Sequence, residues 1–103
     1  MEVSAATFKE SVRRLYNKYW DYMICHSNLN ALANQKQEKG KFTKEMKDEY
    51  KFNKEYGDKY WTEFWKMKDL LEFLFDCRIS MSLEHITVDG EEYFTRDNRR
   101  KEV

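Results

Sequence analysis

The segment KYWTEFWKMKDLLEFLF, Lys59 to Phe75, carries more large apolar side chains than one helical stripe can use. Tyr60, Phe64, Met67, Leu71 and Leu74 recur at alternating steps of four and three, which is one continuous face of a helix. Trp61 and Trp65 fall outside that row. At about 100° per residue the apolar positions around this segment cover an arc of roughly 220°. Phe52 and Leu70 mark one edge and the two tryptophans mark the other. A helix packed on a single neighbour needs about 100° or a little more. The segment therefore predicts a helix with surplus apolar surface, and the rest of the chain has to account for it.

Toward the N-terminus the same row continues through Met46, Tyr50, Asn53 and Gly57. Thr43 is a good N-cap, with Glu45 just inside, so a helix is expected from about Thr43 to Cys77. Lys51 with Glu55, Glu55 with Lys59, and Lys68 with Glu72 are spaced for ion pairs, each worth a few tenths of a kcal/mol. An earlier helix is expected from about Ser4 to Gln37, on the row Ala5, Phe8, Val12, Leu15, Tyr19, Tyr22, His26, Leu29, Ala33. Thr7 with Glu10 forms a capping-box pattern. The weakest stretch is HSNLN, where a break near Ser27 is the alternative to one continuous helix. Lys36 and Lys39 suit a C-terminal turn, and Gly40 suits the left-handed residue after it. The chain has no proline, so nothing forbids long helices.

Two helices of similar length joined by a short turn predict an antiparallel helical hairpin, each arm roughly 50 Å long at 1.5 Å per residue. Pairing outward from the turn sets Tyr22 beside Gly57, Leu15 beside Phe64 and Phe8 beside Leu71. Downstream, HITVDGEEYF alternates around Asp89-Gly90, a strong hairpin signal, giving strands near His85–Val88 and Glu91–Thr95. Residues 78–84 fit both a strand and a continuing helix. Arg96 to Val103 reads as a mobile tail.

The expected fold class is thus mainly α, a single domain over residues 1–103: a helical hairpin with a small C-terminal β-hairpin. The first helix has its own surplus in Tyr16, Trp20, Met23 and Ile24. Ile86, Val88, Tyr93 and Phe94 of the β-hairpin can cover one end only. Large exposed apolar patches are uncommon on monomers. A second copy of the chain, forming a dimer built on a helical bundle, is the expected cover, since symmetric dimers are the commonest oligomers. A foreign protein, or a kinked first helix closing a monomeric core, are the alternatives.

Composition narrows the function. Nineteen basic residues balance nineteen acidic ones, which removes the basic excess expected of a general nucleic-acid binder. Seventeen aromatics outnumber fourteen Ile, Leu and Val, and Tyr and Trp favour half-buried and partner-facing surfaces. No apolar run reaches the length of about 18 residues that a membrane span needs. MEVSAATFKE lacks the basic-then-apolar pattern of a secretory signal. Two cysteines without a framework spacing fit a reducing compartment, and a cytoplasmic location is expected.

Catalytic and metal chemistry find little support. Cys25, His26, Cys77 and His85 have no CxxC or HxxxH spacing, and the hairpin sets Cys25 and Cys77 on the order of 30 Å apart, which argues against a metal site and a disulfide. His26 is expected in the seam opposite Asn53, a polar layer of the kind that fixes register. Adjacent carboxylates, Asp48-Glu49 and Glu91-Glu92, do not converge on one substrate atom. No nucleophile motif, phosphate loop or cofactor fingerprint is present, so no cofactor is expected.

The residue types point to a small non-enzymatic interaction protein acting as a homodimer through an aromatic helical face. Trp20, Tyr56, Trp61 and Trp65 are the candidate anchors, because buried Trp and Tyr dominate interface energetics. The alternative is a phage or mobile-element inhibitor that blocks a host protein, suggested by the small, Lys-, Asn-, Glu- and Tyr-rich, proline-free composition. A further alternative is a nucleic-acid or nucleotide binder using Arg96, Arg99, Arg100 and Lys101, beside Tyr93 and Phe94. A second basic cluster, Lys36, Lys39, Lys41, Lys44 and Lys47, surrounds the helical turn and reads by default as a solubilising tip.

Overall fold

A computed structural model of the chain describes residues 5–100. Two long helices come first, α1 over Ala5–Lys39 and α2 over Lys44–Phe75. Three short strands follow, β1 over Ile79–Met81, β2 over His85–Val88 and β3 over Glu91–Thr95. The helices pack against each other as a hairpin, and the strands form an antiparallel sheet in the order β1-β2-β3. Ser4, the earliest expected helix start, and residues 101–103 of the expected tail lie outside the described residues.

The helix ends follow local chemistry. Gly40 takes φ 72° and its N–H donates to the Lys36 carbonyl at 2.7 Å, closing α1. Thr43 opens α2, its hydroxyl accepting from the Met46 N–H at 3.2 Å. At the other end Asp76 adopts φ 47°, a left-handed position that Asp tolerates better than most residues, and α2 stops at Phe75 rather than at Cys77. α1 already runs through Thr7, so the Thr7–Glu10 capping box does not mark its start. Glu10 instead pairs with Arg13 and Arg14 on the next turn.

α1 is continuous across HSNLN, and no break occurs near Ser27. That stretch contains no Gly or Pro, and the Asn28 amide reaches across the seam to Asn53 Oδ1 at 3.0 Å. Asn53 is buried at 8% exposure and is satisfied on its other side by donating to the Glu49 carbonyl at 2.8 Å. A polar layer does stand opposite Asn53, but Asn28 supplies it. His26 is exposed, and Cys25 holds the seam position in its place.

The register of the two helices lies about one helical turn from the expected one. Tyr22 meets Trp61 with ring centroids 4.5 Å apart, Tyr19 meets Phe64 at 5.8 Å, and Phe8 meets Phe75 at 4.4 Å. The cause is the turn: α1 continues two residues beyond Gln37 and α2 starts at Lys44, which slides every pair along α2. Gly57 therefore faces Cys25 rather than Tyr22. A Cβ added at Gly57 would lie 3.3 Å from the Cys25 Cβ, so the two backbones approach closely there. The buried row of α2 is Met46, Asn53, Gly57, Phe64 and Leu71. Tyr50 and Leu74, both expected in that row, are exposed.

Residues 78–84 resolve toward the strand reading. β1 pairs with β2 through Ile79↔Val88, Ser80↔Thr87 and Met81↔Ile86, so the β-hairpin gains a third strand. β2 and β3 turn at Asp89 and Gly90, both at positive φ, and a bulge falls between Ile86 and Thr87. Ile79, Ile86, Val88 and Phe94 form one core with Val12, Leu15 and Tyr16 of α1 and Phe64 and Leu71 of α2. The sheet thus covers one flank of the helix pair at one end and leaves the rest of its length uncovered.

Candidate interaction surfaces

Helical geometry sorts the aromatic residues of α2 into two flanks on either side of its buried row. The first is Trp61, Trp65, Lys68 and Glu72, at steps of four, three and four. Glu72 fixes its direction: one carboxylate oxygen accepts from the Ile79 N–H of β1 at 2.9 Å and the other from Lys68 at 3.0 Å. This flank therefore faces the sheet side. Burial alone would push the Glu72 carboxyl up, but the Ile79 N–H and the Lys68 ammonium outweigh it and hold the group below its ordinary value.

The tryptophans continue that flank beyond the sheet. Trp61 lies on Tyr22 and Phe64, Trp65 stands edge-on to Trp61 at 5.4 Å, and the Lys68 ammonium sits 5.3 Å over the Trp65 ring. Both are exposed, to about the same degree as Tyr50 and Tyr56, with the rest of each indole against other rings. They flank the edge of the helical seam and also present ring surface to solvent.

The second flank is Phe52, Tyr56, Tyr60, Glu63, Met67, Leu70 and Leu74, again at steps of four and three. Phe52 and Tyr56 lie with ring centroids 4.4 Å apart, and Tyr56 and Tyr60 at 6.2 Å. Lys18 of α1 binds Glu63 at 2.6 Å on this side, and that hydrogen bond holds the Glu63 carboxyl below its usual range. The apolar members are open: Phe52 is 55% exposed, Leu70 56%, Leu74 60%, and the neighbouring Phe73 83%. Tyr56 is nine residues from Trp65, about 180° around the helix. The candidate anchors Tyr56 and Trp65 consequently belong to opposite flanks.

Trp20 and Arg99, placed by sequence in two different candidate sites, meet each other. The Arg99 guanidinium lies 4.5 Å over the Trp20 ring, and Asn17 donates to the Arg99 carbonyl at 3.0 Å. Residues 96–100, read from sequence as part of a loose tail, form turns begun by the Thr95–Asn98 pair of hydrogen bonds and seat against α1. Arg96 and Arg100 are exposed, and Lys101 lies outside the described residues.

Among the described residues no group of three His, Cys, Asp or Glu side chains could hold a metal ion, and no helix is long and apolar enough to cross a membrane. Cys25 and Cys77 are free thiols, and burial raises the pKa of each. His85 pairs with Glu92 across the sheet at 2.9 Å.

Phe52 and Leu70 appeared in the sequence only as the edge of an arc, and Leu74 was assigned to the core row. Phe73 fits neither row. For Phe52, Leu70 and Leu74 the signal that could have found them is the second row of fours and threes along α2, parallel to the first and offset by about 100°. Comparison with protein-family models, curated proteins and solved structures gave no match.

Proposed function

We propose that this chain is a non-enzymatic interaction module that pairs with a second copy of itself through the outer row of α2. The observation that carries the reading is the run of Phe52, Tyr56, Leu70 and Leu74, exposed on the flank of α2 opposite the one that Glu72 ties to the sheet, with Phe73 exposed beside them on the outer face of the helix. From Phe52 to Leu74 the row spans roughly 33 Å at 1.5 Å per residue, long enough for a helix-to-helix contact. Surface area supports the same occupant. The chain exposes 7566 Å², whereas a compact protein of 12.7 kDa exposes about 6,200 Å². The excess exceeds the roughly 800 Å² per partner that a standard interface buries. A symmetric dimer places the same row on both sides, so one apolar surface covers the other. Trp61 and Trp65 are the second-ranked contact, at the far edge of the same helix.

Multi-angle light scattering over a range of concentrations tests this. The wild-type chain is expected at twice the chain mass of 12.7 kDa. Leu70→Glu with Phe73→Glu is expected at the chain mass with an unchanged far-UV CD spectrum, because both side chains are exposed and neither belongs to the core cluster. A wild-type chain that stays monomeric at every concentration overturns the pairing and redirects the row toward a foreign protein, the occupant that an inhibitor of a host protein requires.

A further inference from the structure

The turn of the helical hairpin, at the end of the molecule opposite the sheet, holds a second surface that the α2 row does not use. Lys36, Lys39, Lys41, Lys44 and Lys47 fall within twelve residues, interleaved only by Glu38 and Glu45. None of these lysines makes an ion pair among the described residues; the ion pairs lie on Glu10, Lys18, Glu63, Glu72 and the sheet. Lys44 and Lys47 also sit in the opening turns of α2, where the helix dipole is positive and Glu45 is the only acid of the first turn. Cations are disfavoured at that end of a helix, so an anion bound there relieves a repulsion already built into the fold.

The lysines surround aromatic rings. Ala33, Lys36, Phe42, Lys47 and Tyr50 line a groove of about 500 Å³, within the size range of small-ligand sites. The Phe42 and Tyr50 rings meet edge to face at 5.9 Å, and the Lys36 ammonium lies 5.2 Å over the Phe42 ring. Tyr50 is exposed although a helical seam position was available to it in the sequence pattern. Phosphate needs point charges, which ammonium groups supply. A planar base needs a ring face, which an acidic peptide does not.

We propose that this tip binds a nucleotide, its base against Phe42 and Tyr50 and its phosphate between Lys36 and Lys47, the nucleotide being free or one unit of a single strand. The zero net charge of the chain supplies no long-range attraction, so binding depends on the groove itself and weakens with salt.

The test is a titration of the 15N-labelled protein followed by amide chemical shifts, with AMP, an oligothymidylate, inorganic phosphate and an oligoglutamate peptide at matched ionic strength. AMP and the oligomer are expected to shift amides within residues 33–50, and phosphate and oligoglutamate to shift them far less. Tighter binding of the oligomer by tenfold or more assigns a single strand, and equal binding assigns the free nucleotide. Lys36→Ala with Lys47→Ala is expected to weaken binding at least tenfold, and Tyr50→Ala to weaken it with the salt dependence preserved. Amides outside 33–50 report whether each variant keeps its fold; both lysines are exposed, and Lys36→Ala also removes the ammonium over Phe42. The proposal is overturned if no ligand shifts this region, if phosphate or oligoglutamate shifts it as strongly as AMP, or if the shifts centre on Arg96 to Arg100. It stands apart from the pairing through α2, since neither Leu70 nor Phe73 lines the groove.

Discussion

Glu72 joins three parts of the fold through one side chain and its own carbonyl. Its carboxylate accepts from Lys68 and from the Ile79 N–H, and its backbone oxygen accepts from the N–H of Cys77 at 3.2 Å as α2 ends. The Ile79 N–H would otherwise lie on the free edge of β1, so the carboxylate also closes a strand edge. Glu72→Gln is expected to lower stability by about 1–2 kcal/mol at neutral pH, read from urea unfolding. The folded-state pKa of Glu72 lies below its ordinary value of 4.5, so protons bind the unfolded chain more readily. Its contribution is therefore complete above about pH 4.5 and is lost as pH falls through the folded value. Glu10 and Glu63 are shifted in the same direction, by hydrogen bonds from Arg13 and Lys18 first, and add to acid sensitivity. The difference between wild type and Glu72→Gln isolates the Glu72 share and is expected to shrink between pH 5 and pH 3, a window of roughly two units around the ordinary carboxylate value. Gly57 is the other decisive position. Gly57→Ala gains about 1 kcal/mol of helix propensity but sets a Cβ 3.3 Å from that of Cys25, so a net change within about 1 kcal/mol is expected. Gly57→Leu has no room and is expected to lose about 3 kcal/mol or more, by the same unfolding measurement.

At the scale of the element, α1 carries a stretch that the sequence leaves open to a break, and it is continuous in the fold. HSNLN reads as a candidate hinge because Leu29 is its one apolar residue. The Asn28–Asn53 bond supplies the anchor, and no rule of periodicity reveals a cross-helix amide pair. Asn53→Ala is expected to lower the urea midpoint by the equivalent of about 1–3 kcal/mol, because it strips hydrogen bonds from a buried position. Asn28→Ala, at an exposed position, is expected to cost less. The Asp89-Gly90 turn was legible because its backbone demands positive φ, a local constraint written in two residues. β1 was not, because Ile79, Met81 and Leu83 alternate like a strand while Phe75, Ile79 and Leu83 fit a continuing helix, and only pairing with β2 decides between them. The turn at 96–100 gives a further test. Arg99→Ala removes the cation over Trp20 and is expected to raise acrylamide quenching of tryptophan fluorescence, with the far-UV CD spectrum unchanged.

The whole molecule is long and thin. Its radius of gyration is 16.8 Å and its extents are 55 × 25 × 21 Å, whereas a compact chain of this length has a radius near 13 Å. Beyond the sheet the helical hairpin has only a two-helix cross-section, and two helices cannot enclose an arc of about 220°. Small-angle scattering of Leu70→Glu with Phe73→Glu is expected to give a radius of gyration near that of the single chain, and the wild type a larger one. The sequence alone determined the two long helical segments, the turn between them, the β-hairpin and the excess of apolar surface, and left open whether the first segment breaks near Ser27. Each of these follows from local dihedral preference or from counting residues on a face. Tertiary structure alone decided which faces meet. A shift of the turn, with α1 ending two residues later and α2 starting one later, moved the cross-helix pairs by about one turn of α2. It put Cys25 rather than Tyr22 on Gly57, and laid Trp61 against Tyr22. Phe52, Leu70, Phe73 and Leu74 were left outside, because burial is a property of the partner surface, which no single helix contains.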